Sequence, residues 1–214
     1  MKWHWQQFNG TDWDQRGQKH ALFKIVDPPE SRPRPGVAAG SETQRKDWAD
    51  DVTNEKGNYD YLMFSNIDYR NPEARRDVIN WGQWMVHDIG LGGFRLDAVQ
   101  HYSWHFARDW IKTVKDAGGS LDREIFVVGE FWTGDTKRLV QWLDRMGQGV
   151  RAFDSPLLGN FSRISRARLT TKNNQNRFGM RLSNWDVDLR RIFRNSLVEA
   201  RPHGAVVSAP HRTT

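Results

Sequence analysis

Two stretches decide how this sequence folds: Gly93-Phe94-Arg95-Leu96-Asp97-Ala98-Val99, a short strand candidate, and Ile125-Phe126-Val127-Val128-Gly129-Glu130, a clearer one. Between them Phe106, Trp110, Ile111 and Val114 recur at helical spacing until Gly118-Gly119, which ends a helix. Upstream, Asn71-Pro72 reads as a helix cap followed by proline at the first helical position. Ala74, Val78, Trp81, Met85 and Ile89 then repeat up to Gly90 and predict a helix with one inward face. Downstream, Leu139, Val140, Leu143 and Met146 mark another helix, and Val150-Arg151-Ala152-Phe153-Asp154 another strand. The order helix, strand, helix, strand, helix, strand implies parallel strands joined by helical crossovers, as in an α/β barrel or a doubly wound sheet. Leu189, Ile192, Phe193 and Leu197 suggest one last amphipathic helix, whereas 160–185 and 201–214 show no periodic pattern.

Outside this alternation, residues 1–58 are polar and rich in Trp, Asp and Gly. Their proline cluster from Asp27 to Gly36 suits neither a helix nor a central strand. The 214 residues can supply one sizeable core, and 11 Trp with 11 Phe are more aromatic surface than a disordered chain carries. With no cysteine, disulfides, thiolate chemistry and cysteine zinc sites are excluded, so any metal must use oxygen or imidazole. The first residues lack the apolar core of a secretory signal, and no run is long enough to span a bilayer. The expectation is a cytoplasmic protein with no membrane partner. A net charge of +6 raises nucleic-acid binding, but the basic residues between Arg145 and Arg194 are scattered and no zinc-finger or RNP-type motif accompanies them. They read as solvated surface.

Asp97 and Glu130 end the two strand candidates, 33 residues apart, which is one strand–helix unit. Equivalent ends of neighbouring parallel strands lie on one rim, where α/β barrels hold their active sites. Glycosidic cleavage with retention uses such a pair: a protonated acid for the leaving oxygen and a carboxylate roughly 5 Å away as nucleophile. Strand-end acids also cap the following helix, and spacing alone leaves both roles open. Phe131 and Trp132, directly after Glu130, could stack on sugar rings or fill a core.

Gly93-Phe94-Arg95-Leu96-Asp97-Ala98-Val99-Gln100-His101 resembles the nucleophile motif of the α-amylases, glycoside hydrolase family 13. Val127-Val128-Gly129-Glu130-Phe131-Trp132 is similar to the acid/base motif of the same family. Asn58 to Phe64 and Phe8 to Asp14 resemble its subgroup of bacterial liquefying and intracellular fungal enzymes. The resemblance implies α-1,4-glucan hydrolysis, with Asp97 as nucleophile, Glu130 as acid/base and Arg95 keeping Asp97 ionised. Gln100, where many relatives have lysine, His101 and Trp132 would meet the glucan. Asp60, Asn66 and the carbonyl of His101 would hold one calcium ion, weakened because many relatives have Asp at the position of Asn66. Acids of a further linked metal cluster are replaced by Asn9, Ala49 and Arg70, so no second cluster is expected.

The implied architecture is α/β: a partial (β/α)8 barrel, about strands 4 to 6, with part of an inserted loop-rich B domain. Residues 1–58 would be the remnant of that domain, 59–200 the barrel segment and 201–214 an aberrant tail. Since the motif carrying the third catalytic carboxylate is not found, the chain alone is expected to be inactive. The alternative is a noncatalytic piece that binds glucan through residual aromatics such as Trp132.

Overall fold

The computed structural model describes residues 2–26, 47–53, 62, 64–165 and 189–207. The proline cluster at 27–36 and most of the motif at 58–64 lie outside the described residues. The chain divides into two compact units, Met1–Phe94 with Ala98–Phe126, and Arg95–Asp97 with Val127–Thr214.

In the first unit, β1 (Phe8–Asp14) pairs antiparallel with β2 (Lys19–Lys24) on one side and β3 (Ser65–Ile67) on the other. Gly10 in β1 faces the Trp48 ring, which lies 2.1 Å from where a Cβ would stand, so only glycine admits that ring. Helix α1 (Pro72–His87) starts at Asn71, whose side chain accepts from the backbone N–H of Glu73 and Ala74. It packs on α2 (Trp104–Gly119), where Trp110 donates to the Val78 carbonyl at 3.0 Å and sits against Gly82. This close approach sets the buried stripe of α1 at Ala74, Gly82 and Val86. Trp81 and Ile89, expected on the inward face, are therefore exposed. The α2 face Phe106, Trp110, Ile111 and Val114 is buried as its spacing requires.

A sheet of order β4-β5-β6-β7 comprises β4 (Gly93–Leu96), β5 (Phe126–Gly129), β6 (Val150–Phe153) and β7 (Ala205–Val206), of which the second unit holds β4 from Arg95, β5 from Val127, and all of β6 and β7. The backbone N–H of Phe126 donates to Gly92 and that of Glu130 to Leu96, a constant offset that only a parallel pair produces. β6 is parallel to both β5 and β7. Helix α3 (Thr136–Met146) follows β5 and buries Leu139, Trp142, Leu143 and Met146. Complete burial of each leucine there contributes about 1.5–3 kcal/mol.

Several elements differ from the sequence expectation, among them β7, which lies in the 201–214 stretch read as patternless. Helix α4 (Ser155–Ser165) occupies a stretch read as patternless beyond residue 160, and begins where Asp154 accepts from the Leu157 N–H. The single helix expected over Leu189–Leu197 is instead a 3-10 turn at Leu189–Arg191 and a separate α5 (Leu197–Ala200). Asn195 is left-handed (φ +58°), and Ser196 caps α5 by accepting from Glu199, so the chain breaks there and leaves Leu189 and Phe193 exposed.

Candidate active site

The parallel pairing of β4 with β5 brings the strand-end acids together. The Glu130 N–H donates to the Leu96 carbonyl at 2.8 Å, which places Glu130 beside the end of β4. Arg95 lies in β4 and Asp97 directly follows it. Arg95 Nη2 is 3.0 Å from Asp97 Oδ1 and 2.7 Å from Glu130 Oε2, so one guanidinium nitrogen spans both carboxyls. The Asp97 carboxyl is held below the ordinary carboxylate value chiefly by its hydrogen bond with Glu130; partial burial opposes this, and the Arg95 charge adds a further, smaller lowering. The Asp97 side chain remains 65% exposed and that of Glu130 25%.

The segment after Glu130 is fixed from within the same unit. Gly129 faces the Trp142 ring, which lies 2.2 Å from a notional Cβ, and Phe131 is buried with its ring centroid 6.3 Å from that of Trp142. Ser155 Oγ lies 2.7 Å from the Thr133 carbonyl and 3.1 Å from that of Phe131. Asp135 caps α3 by accepting from Lys137. Trp132 stands half exposed in this loop.

The other expected site residues fall in the first unit. Gln100 is buried and its carbonyl accepts from Thr53, while His101 is half-buried and donates its N–H to Ala98, a residue with φ +44°. Asn66 donates to the Asn9 side-chain oxygen at 2.7 Å, which leaves its own amide oxygen as the donor a hard cation would need. Asp60 lies outside the described residues. Arg70 pairs with Asp68 at 2.9 Å and also donates to the Asp47 carbonyl, and Asn9 donates to that same carbonyl. No group of three or more His, Cys, Asp or Glu able to hold a metal occurs among the described residues. Sequence reasoning missed Ser155. The run Asp154-Ser155-Pro156, an acid cap ahead of proline, was the available signal.

Acids closing adjacent parallel strands of an α/β sheet place this site on the rim where barrel enzymes work. A family model described as alpha amylase, catalytic domain, matches residues 7–200, and the chain belongs to that family of glycoside hydrolases. Its parallel sheet and helices are accordingly part of a (β/α)8 barrel. The chain is 32% identical, over its whole length, to an α-amylase of Bacillus licheniformis, of which it covers 35%. It is 34% identical over 96% of its length to a glucan 1,4-α-maltohexaosidase of Bacillus sp. (strain 707), covering 33% of that protein. To the cytoplasmic α-amylase of Escherichia coli (strain K12) it is 30% identical over 99% of its length and covers 36% of the relative. The chain thus spans about a third of the length of these curated relatives.

Proposed function

We propose that the site of this chain serves retaining hydrolysis of internal α-1,4-glucosidic bonds in starch-like glucans. The observation that carries this reading is the shared contact of Asp97 and Glu130 with Arg95 Nη2. Laid end to end, the two contacts hold the oxygens closer than the roughly 6.5–9.5 Å carboxyl spacing of inverting enzymes. Asp97 attacks the anomeric carbon as Glu130 gives its proton to the departing glycosidic oxygen, forming a glycosyl ester on Asp97. Glu130, now a carboxylate, takes a proton from water, and the resulting hydroxide displaces Asp97 with a second inversion. Arg95 favours the ionised form of Asp97 before attack and after its release. Trp132, Gln100 and His101 are assigned to the glucan.

The reading extends to one weak calcium ion held by Asp60, Asn66 and the His101 carbonyl, and to the organisation given above, with a B-domain remnant at 1–58, a barrel segment at 59–200 and a tail at 201–214. A cytoplasmic location belongs to the same proposal, supported by the name of the Escherichia coli relative.

The 214-residue polypeptide by itself is proposed to bind glucan without turning it over. Stabilisation of transition-state charge depends on preorganised groups in a water-excluded site, and the Asp97 side chain is 65% exposed. The test is reducing-end release from soluble starch by the parent and by Asp97→Asn. Equal background is expected, and turnover that disappears in the variant would overturn the inactivity of the isolated polypeptide.

A further inference from the structure

Trp132 is half exposed in the loop from Glu130 to Asp135, a segment without helix or strand of its own. An exposed indole presents one face to a ligand only if the backbone on both sides of it is fixed. On one side that backbone is anchored by the Glu130 N–H to Leu96 and by burial of Phe131 against Trp142. On the other side, Asp135 is tied into the cap of α3, and its N–H donates to Thr133 Oγ1 at 3.1 Å. One distant hydroxyl reaches the peptide groups flanking Trp132. Ser155, half-buried at the start of α4, lies 2.7 Å from the Thr133 carbonyl, 3.1 Å from the Phe131 carbonyl and 3.3 Å from the Thr133 N–H. A serine hydroxyl has one proton and two lone pairs. When it donates to the Phe131 carbonyl while accepting from the Thr133 N–H, it bridges the residues before and after Trp132.

We propose that Ser155 is a positioning residue: by tying Phe131 to Thr133 it sets the orientation of the Trp132 ring and so the affinity for an α-glucan chain. The inference rests on the functional reading above. Ser155 opens α4 directly after Asp154, whose carboxyl accepts from Leu157 and Val198, so the hydroxyl is carried on a hydrogen-bonded helix start.

Two measurements on the full chain test it. With 15N-labelled tryptophan, the Trp132 indole N–H signal is identified by its absence in Trp132→Phe. It should shift or broaden in Ser155→Ala and return in Ser155→Thr, with the buried Trp142 signal as an unmoved internal control. Calorimetric titration with maltoheptaose should show affinity weakened about fivefold in Ser155→Ala, the value of roughly one net hydrogen bond, and restored in Ser155→Thr. Ser155→Ala should also add nothing to the loss already caused by Trp132→Ala. A parent that binds, with Ser155→Ala unchanged in both signal and affinity, overturns the positioning role alone. A parent that does not bind maltoheptaose at all overturns the glucan reading and this role together.

Discussion

Arg95 donates through Nη2 to Glu130 Oε2 at 2.7 Å, and that same nitrogen lies 3.0 Å from Asp97 Oδ1. One cation therefore lies between two acids that the parallel register brings side by side. The hydrogen bond with Glu130 and the charge of Arg95 both depress the Asp97 pKa and outweigh the opposing effect of burial, so folding favours its ionised form. The sign of the linkage follows: this contribution is fully present above the unfolded-state value, near 3.8, and is lost as pH falls through the lower folded value. Carboxyl-carbon NMR should place the Asp97 midpoint below 3.8, and both Glu130→Ala and Arg95→Met should raise it. A midpoint unmoved by either substitution would contradict the coupling.

Gly129 is the residue next to Glu130, and a Cβ there would stand 2.2 Å from the Trp142 ring. Gly129→Ala should destabilise the chain by about 1–3 kcal/mol through overpacking. Trp142→Leu in the same chain should recover part of that loss. Urea unfolding of the single and double variants measures both, and a neutral Gly129→Ala would show that the ring moves aside without cost.

Asp154 is 4% exposed and uses both carboxylate oxygens, accepting from Leu157 at 3.0 Å and from Val198 at 2.8 Å. It thereby caps α4 and meets the first turn of α5. Hydrogen bonds to a charged group contribute about 1.5–3 kcal/mol each, so Asp154→Ala should cost about 3 kcal/mol or more. Asp154→Asn, which keeps one acceptor, should cost less. Denaturant midpoints that fail to separate the two variants would show that only one of the bonds is energetically significant.

How far the sequence was legible depends on how locally each element is determined. The αβ alternation from Asn71 to Phe153 was readable because caps, closing glycines and apolar spacing agreed at each step, and Asn71, Gly118 and Gly119 stand where that pattern puts them. The inward face of α1 was misplaced because Gly82, silent in a hydrophobic pattern, is what admits Trp110. The break before α5 was missed because the apolar spacing from Leu189 to Leu197 continues through a left-handed Asn195 and a capping Ser196. β7 escaped because two residues carry no period, and its place is set by pairing with β6. Asp97 and Glu130 were readable as a candidate pair from strand ends alone. The bridging nitrogen of Arg95 and the Ser155 clamp depend on tertiary distance and have no local sequence signature.

For calcium, Asn66 offers an amide oxygen where a carboxylate would bind more strongly, and its nitrogen is engaged with Asn9. Titration calorimetry should give a dissociation constant in the range of about 10⁻⁴–10⁻³ M or weaker. Submicromolar binding would contradict the weakened site.

The assignment of Asp97 and Glu130 as nucleophile and acid/base is tested most directly by transplantation. The chain aligns over its whole length with 35% of the Bacillus licheniformis α-amylase and can replace that segment in a chimera. A chimera shown to be folded by circular dichroism should release reducing ends from soluble starch, and Asp97→Asn or Glu130→Gln should each lower the rate by at least about 10³-fold. A folded chimera without turnover, or one whose turnover survives both substitutions, would contradict the assignment.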